Sequence, residues 1–231
     1  MDKMSQQTPR AVVFDLDGLM FNTEELYNEV GAELLARRGR QWDLDLLDAM
    51  MGRPGHVALA IMIDWHGLTD SVDALAAESD QIFATILDER LAPMPGLERL
   101  LAALEAAGIP KAVATSSGRR FVRDVLGRFE FEPRFEFLLT AEDVRDGKPH
   151  PEIYLTAAQR LGLDPAEVLV LEDSQNGIRA AAAAGTFAVA VPAGHSRRHD
   201  FSVASLVVDS LADPRLYEQL RLACGGRPAT E

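Results

Sequence analysis

Two aspartates stand one residue apart where an apolar segment near the start of the chain ends. Asp15 and Asp17 follow the letters AVVF, and Gly18 comes next. A carboxylate can bind a hard cation, act as a nucleophile or move a proton, so this pair could do chemistry. An aspartate followed by glycine is also a common turn signal, so the pair alone does not separate a site from a turn.

Further polar side chains follow later apolar segments or lie in the loops between them. They are the hydroxyls of Thr115 and Ser116, the ammonium of Lys148, and the carboxylates of Glu172 and Asp173. Each has an ordinary structural reading, since hydroxyls and acids often begin helices. Only the complete set points to a site.

The complete set predicts metal-assisted chemistry on a phosphate group. Four carboxylates close together would repel each other, and a divalent cation relieves that repulsion. Mg²⁺ prefers the oxygens of carboxylates, water and phosphate as ligands. A lysine and a hydroxyl suit phosphoryl oxygens, and a carboxylate beside the metal can attack phosphorus to form an aspartyl-phosphate.

The apolar pattern predicts the elements that would bring these side chains together. Apolar runs of four to six residues, largely without alternation, indicate strands covered on both faces. They are AVVF (11–14), KAVAT (111–115), EFLLT (136–140), VLVL (168–171), FAVAV (187–191) and SLVV (205–208). Helical segments lie between most of them, so the sequence predicts an α/β fold with a doubly wound parallel sheet. Ligands bind at the carboxyl ends of strands in such a sheet, where these polar side chains fall.

One long helical segment interrupts the alternation. From about residue 22 to about residue 92 the sequence has helical periodicity and no strand pattern, and Asn22 and Glu25 have the spacing of a capping box. About 70 residues exceed any ordinary connection between a strand and a helix. We therefore expect a helical cap domain over residues 20–94, inserted into an α/β catalytic core formed by residues 1–19 and 95–231.

Four motifs resemble those of one known family. The segments DLDG (15–18), ATSS (114–117), GKPHPEIY (147–154) and LEDSQNGIRAAAAAG (171–185) are similar, in order and interval, to the motifs of the haloacid dehalogenase superfamily. A helical cap between the first and second motifs is typical of its phosphatase and β-phosphoglucomutase branch. The resemblance runs from about residue 10 to about residue 210.

The resemblance implies a role for each motif residue and Mg²⁺ as the cofactor. Asp15 would be the nucleophile and Asp17 the general acid and base, acting on a small phosphate ester. The phosphate ligands would be Thr115, Ser116 and Lys148. The metal ligands would be Asp15, the backbone carbonyl of Asp17, Asp173, and Glu172 either directly or through water.

The inserted helices would choose the substrate. Arg53 and His56 lie in the segment MGRPGH between two predicted cap helices, where a loop facing the substrate is expected. A phosphomutase of the β-phosphoglucomutase kind is an alternative and would use the same Asp15. Such mutases carry a histidine on the first cap helix, where this chain has Tyr27, which favours a phosphatase.

Two other functions remain as alternatives on this fold. A haloacid dehalogenase is disfavoured by Asp17, because displacing a halide needs no acid. A catalytically silent binding protein is disfavoured by the intact motifs, and a phosphate-release assay separates it from an enzyme.

The composition indicates the partners and the location. The chain of 231 residues has a formal net charge of −13, which repels nucleic acid and anionic membranes. A single cysteine, Cys224, cannot form an internal disulfide, and no apolar run has the length that spans a bilayer. We expect a cytoplasmic protein, a monomer or weak dimer, with a small-molecule substrate and no nucleic-acid or membrane partner.

Overall fold

The strands of this protein form one parallel sheet. A computed structural model describes residues 8–50 and 55–223 of the chain. Within them the strands are β1 (Ala11–Phe14), β2 (Lys111–Ala114), β3 (Leu138–Leu139), β4 (Val168–Glu172), β5 (Phe187–Ala190) and β6 (Leu206–Val207). The six strands pair in the order β3-β2-β1-β4-β5-β6, and each pair is parallel. This order is that of a doubly wound sheet, so the predicted fold class is confirmed.

Helices precede most of the strands, as the sequence predicted. In the described part of the chain they are α1 (Thr23–Ala36), α2 (Leu44–Met50), α3 (Gly55–His66), α4 (Val72–Arg90), α5 (Leu97–Ala106), α6 (Arg119–Gly127), α7 (Glu152–Leu161), α8 (Gln175–Ala183) and α9 (Pro214–Gln219). Among these described helices, none has both the length and the apolar character needed to cross a membrane.

The register of the sheet brings the ends of three strands level with one another. Phe14 of β1 pairs with Val113 of β2 on one side and with Leu171 of β4 on the other. The residues that follow these three positions therefore emerge at one edge of the sheet. The strand order also reverses between β1 and β4, and ligands bind at such a reversal, outside the carboxyl ends of the strands.

Burial of the central strands explains why their apolar runs do not alternate. Every residue of β1, β2 and β4 is buried. One apolar cluster includes Val13 of β1, Val170 of β4, Tyr154 of α7 and Ile178 of α8. Strands covered on both faces need apolar side chains at successive positions rather than at every second one.

The chain divides into two compact units. One is Asn22–Ala92, which contains α1 to α4, and the other combines the chain before Asn22 with the chain after Ala92 and contains the sheet. The helical unit has an apolar cluster of its own, in which Leu34, Met62 and Leu75 are at most 1% exposed. Each unit therefore buries its own apolar side chains.

The predicted capping role of the Asn22 side chain is wrong. Asn22 stands at the N-cap of α1, but its side chain makes no capping hydrogen bond. Its Oδ1 accepts from the N–H of Ala92 at 2.8 Å, and its Nδ2 donates to the carbonyl of Arg90 at 3.1 Å. The Asn22 side chain thus links the first residue of the helical unit to Arg90, the last residue of α4, and to Ala92, the last residue of the unit.

Asp213 is the N-cap residue of α9, and its carboxylate accepts charge-assisted hydrogen bonds from Arg215. Its carboxylate accepts from the N–H of Arg215 at 2.9 Å and from Nη2 of Arg215 at 2.6 Å. The Arg215 side chain lowers the pKa of Asp213 to about 2, against the opposing effect of burial. Because this value lies below the ordinary value of 3.8, the ionised carboxylate stabilises the fold above that pH, and the contribution is lost as the pH falls toward 2.

Replacing Asp213 with asparagine should cost stability mainly near neutral pH. The amide keeps an oxygen for the start of the helix but loses the charge, and we expect roughly 2 kcal/mol less free energy of unfolding at pH 7. Urea titrations of wild type and Asp213→Asn at a series of pH values measure the difference. The difference should shrink below about pH 4, and one that stays constant in acid would contradict the assignment.

Candidate active site

Asp15 is the first residue after β1 and is held at the edge of the sheet. Its backbone N–H donates to the carbonyl of Leu171 at 3.0 Å, and the residue is only 6% exposed. Gly18 has a φ of +74°, a left-handed conformation that glycine adopts at little cost. The N–H of Gly18 donates to the carbonyl of Phe21 at 3.0 Å. The chain therefore turns sharply just after Asp15 and Asp17.

Lys148 donates to three acceptors at the ends of three neighbouring strands. Its Nζ lies 2.6 Å from Oδ1 of Asp15, 2.6 Å from Oε1 of Glu172 and 3.0 Å from the carbonyl oxygen of Ala114. An ammonium carries three hydrogens, so each of them has an acceptor. The Lys148 side chain is 6% exposed. One buried charge therefore connects the ends of β1, β2 and β4.

Glu172 is the last residue of β4 and accepts hydrogen bonds at both carboxylate oxygens. Besides Lys148, Oε1 accepts from the hydroxyl of Tyr154 at 2.6 Å. Oε2 accepts from the N–H of Ser174 at 3.2 Å and from its hydroxyl at 3.0 Å. The Ser174 hydroxyl also accepts from the N–H of Gly177 and so caps α8. A carboxylate with no exposed surface needs this degree of compensation.

Asp15, Glu172 and Asp173 form a buried group of carboxylates. One oxygen of each lies within 4.8 Å of the others. The structure thus brings together three of the residues that were predicted to bind metal. Three carboxylates against one ammonium leave an excess of negative charge, and carboxylate oxygens suit a hard divalent cation. The donor set could therefore hold a metal ion.

Burial and the neighbouring charges both act on the pKa of Asp15 and on that of Lys148. It raises the pKa of Asp15 well above its ordinary value, Lys148 opposes that change, and the charges of Glu172 and Asp17 add to it. For Lys148, burial acts to lower the pKa, but Asp15 and Glu172 outweigh burial and raise it. Lys148 therefore remains charged, and a cation beside these carboxylates would act against the effect of burial on Asp15.

Asp17 faces the hydroxyls of the loop that follows β2. Ser117 Oγ donates to Asp17 Oδ2 at 2.6 Å, and Thr115 Oγ1 donates to the same oxygen at 3.3 Å. Ser116 is exposed between them. The sequence interpretation selected Ser116 and missed Ser117 as a partner of Asp17. The available signal was spacing, because residues two apart in an extended segment point to the same side.

Of the two residues predicted to face the substrate, only His56 belongs to the part of the chain that the structure describes. Arg53 lies outside the described residues. His56 is exposed near the start of α3, in the unit Asn22–Ala92. Their contact with a substrate stays a prediction.

Gly177 lets α8 pass directly against Glu172. A Cβ atom at this position would lie 1.8 Å from the Cδ atom of Glu172, so Gly177→Ala should displace either the carboxylate or the helix. We expect a loss of about 1–3 kcal/mol in the free energy of unfolding, as for other overpacked cores. Urea titration measures it.

Gly127→Ala is the matched control. It changes the last residue of α6, where an added Cβ meets no atom within 4 Å. This control should be neutral or stabilising by up to about 1 kcal/mol. Equal stability of the two variants would mean that Gly177 is not needed for the approach to Glu172.

Comparison with known proteins gives this fold and site a family. Residues 9–185 match the family model of the haloacid dehalogenase-like hydrolases. The chain is 32% identical over 217 residues to a bifunctional riboflavin kinase/FMN phosphatase of Arabidopsis thaliana, a match that covers 94% of this chain and 57% of that protein. It is 33% identical over 175 residues to the phosphorylated carbohydrates phosphatase of Thermotoga maritima, covering 76% of this chain and 81% of the relative.

A solved structure extends the comparison. A HAD family hydrolase from Deinococcus radiodurans, with bound phosphate and sodium, superposes with a TM-score of 0.78 at 28% identity, over 94% of this chain and 98% of that one. Further relatives also carry phosphatase names, which supports a phosphoric monoester hydrolase. With a family model that spans most of its length, the chain belongs to the haloacid dehalogenase-like hydrolases.

Proposed function

We propose that this protein is a Mg²⁺-dependent phosphatase that hydrolyses a small phosphorylated metabolite through an aspartyl-phosphate intermediate. The observation that carries the proposal is the 2.6 Å contact between Lys148 Nζ and Asp15 Oδ1, beside the buried carboxylates of Glu172 and Asp173. The likeness to an FMN phosphatase and to a phosphatase of phosphorylated carbohydrates supports a sugar or nucleoside monophosphate as the substrate.

In the first step Asp15 would attack phosphorus. A bond forms between a carboxylate oxygen of Asp15 and phosphorus, and the bond between phosphorus and the ester oxygen breaks. Asp17 would give its proton to the departing oxygen. The hydrogen bonds from Ser117 and Thr115 support this role, because they hold the Asp17 carboxyl in one orientation before substrate binds.

In the second step water would release the phosphate. Asp17, now ionised, would take a proton from water as the water oxygen attacks phosphorus. The bond between phosphorus and Asp15 then breaks, which frees inorganic phosphate and restores the carboxylate. One carboxyl group thus serves as acid in the first step and as base in the second.

Thr115 and Lys148 would bind the phosphoryl oxygens. Fixed donors stabilise the charge of the transition state best when they need no rearrangement. Glu172 and Ala114 hold the Lys148 ammonium in place, and the hydrogen that it now donates to Asp15 would turn to a phosphoryl oxygen. Thr115 is only 1% exposed on the same edge of the sheet. Ser116, exposed in the same loop, is the further candidate for a phosphate contact.

The residues that would hold Mg²⁺ are Asp15, Asp173 and the backbone carbonyl of Asp17, with Glu172 behind them. Both oxygens of Glu172 already accept hydrogen bonds from protein groups, which supports binding through water rather than directly. When bound, the cation supplies positive charge that offsets the carboxylates and the phosphoryl oxygens. The raised pKa of Asp15 is consistent with a site that needs this charge.

We also propose that the helical unit acts as the cap that selects the substrate. The core residues would handle only the phosphoryl group, so discrimination among esters must come from elsewhere, and Arg53 and His56 are the candidates. Tyr27 of α1 stacks on Phe83 of α4 with ring centroids 4.4 Å apart. Phosphomutases of the β-phosphoglucomutase kind carry a histidine where this chain has Tyr27. A tyrosine that packs on Phe83 there supports a phosphatase over the alternative phosphomutase.

A cytoplasmic location completes the proposal. The chain has one cysteine, which suits a reducing compartment. The strong negative charge of the chain disfavours nucleic-acid partners.

A screen of small phosphate monoesters tests the function. The purified protein should release inorganic phosphate from sugar or nucleoside monophosphates with Mg²⁺ present, lose this activity with a chelator, and regain it when Mg²⁺ is restored. Asp15→Asn should lower turnover at least about a thousandfold, because an amide is a poor nucleophile. Phosphate release is measured colorimetrically.

Asp124→Asn is the control for the same chemical change. Asp124 is an exposed carboxylate of α6 that pairs with Arg128 on the surface, so turnover should stay at the wild-type level. Activity that survives in Asp15→Asn, or that is unaffected by removing metal, would refute the proposed chemistry. Transfer of phosphate within a hexose phosphate, without release, would favour the phosphomutase.

A further inference from the structure

Tyr154 is a buried tyrosine of the catalytic unit that the mechanism above does not use. It lies on α7 with no exposed surface, within the apolar cluster that includes Val13, Val170 and Ile178. A phenylalanine would fill the same apolar space. A buried hydroxyl costs free energy unless it is hydrogen-bonded, so the partner of the Tyr154 hydroxyl is informative.

The partner of the hydroxyl is Glu172. Tyr154 donates to Glu172 Oε1 at 2.6 Å, a short bond to a charged acceptor. The same oxygen accepts from Lys148 Nζ at 2.6 Å. Burial, and then the charge of Glu172, raise the pKa of Tyr154 well above its ordinary value, so the phenol remains a donor. Tyr154 and Lys148 therefore share one oxygen of one carboxylate.

The ring of Tyr154 also lies beside the ammonium of Lys148. Nζ is 5.0 Å from the ring centroid, within the range of a cation–π contact. Lys148 is thus bounded by Glu172, by the Tyr154 ring and by Asp15. A change in the position of Glu172 would alter the direction from which the ammonium meets Asp15.

We infer that Tyr154 is a positioning residue: its hydroxyl fixes Glu172, and through Glu172 it fixes the ammonium of Lys148 against Asp15. The inference rests on the proposed function, since it assigns Tyr154 to the support of the proposed nucleophile and phosphate-binding lysine. Tyr154 itself touches neither substrate nor Asp15 in this assignment. Removing a group that orients a residue in direct contact with the metal or substrate typically lowers activity by roughly 10–100-fold.

Tyr154→Phe tests the inference by kinetics. The variant keeps the ring and loses the hydroxyl, so it should still fold, with a thermal midpoint lowered by only several degrees. Its kcat for para-nitrophenyl phosphate with Mg²⁺ should fall roughly tenfold or more. KM should change much less, because the substrate does not contact the hydroxyl. Tyr217→Phe is the matched control, since Tyr217 is a buried tyrosine of α9 at 1% exposure, and its activity should stay at the wild-type level.

A double-variant cycle identifies the route of the effect. If Tyr154 acts through Glu172, then adding Tyr154→Phe to Glu172→Gln should lower kcat far less than it does in the wild type. Effects that multiply independently would mean that the hydroxyl serves the packing of the core, and the inference would be wrong.

NMR of the lysine side chains measures the effect of the Tyr154 hydroxyl on the Lys148 ammonium directly, in the absence of substrate. The sequence has only three lysines, Lys3, Lys111 and Lys148, so ¹⁵Nζ-labelled lysine gives a simple spectrum. Lys3→Arg and Lys111→Arg identify the other two signals by their loss, which leaves that of Lys148. Tyr154→Phe should shift the Lys148 ammonium signal and leave that of Lys111 in place, whereas Tyr217→Phe should shift neither. An unchanged Lys148 signal overturns the inference. Absence of phosphatase activity in the wild type would instead refute the proposed function, so the two failures are distinguishable.

Discussion

The ammonium of Lys148 lies 2.6 Å from an oxygen of Asp15 and 2.6 Å from an oxygen of Glu172, and the three side chains are at most 9% exposed. Two carboxylates in such a place are unfavourable unless a positive charge accompanies them, and removing one partner of a buried pair typically costs about 3–5 kcal/mol. Removing Lys148 should therefore destabilise the ends of β1 and β4, where these carboxylates lie. The same charge keeps the nucleophile oriented, so stability and the proposed chemistry depend on one contact.

The sheet topology supplies the rest of the arrangement. Because β1 lies between β2 and β4 in parallel register, the residues that directly follow these three strands meet at one edge of the sheet. Lys148 comes from the loop between β3 and α7. The helix α7 buries Ile153 and Tyr154 in the core, and the Tyr154 ring centroid lies 5.0 Å from the Lys148 ammonium. Gly177, in α8, has no side chain, so this helix can pack directly against the Glu172 carboxylate. Local constraints of size and charge thus help to fix the positions of Asp15 and Glu172.

Much of this arrangement could be predicted from the sequence, for physical reasons. Unalternated apolar runs mark buried parallel strands, and the polar residues directly after them must fall at the carboxyl edge. Hydrogen-bond partners distant in sequence could not be predicted, because no periodicity encodes them. Asn22 has the spacing of a cap, yet it bonds to Arg90 and Ala92. Ser117 was missed beside Ser116, although its spacing of two residues from Thr115 in an extended segment was an available signal.

The central claim is that Asp15 carries the phosphoryl group during turnover. Rapid quenching of the enzyme with substrate and Mg²⁺, followed by borohydride reduction, converts an aspartyl-phosphate into homoserine, which peptide mass spectrometry can locate. The account predicts homoserine at position 15, with Asp17 unmodified, and none in a sample quenched without substrate. Homoserine at another position, or a pre-steady-state burst of the alcohol product with residue 15 unchanged, would contradict it.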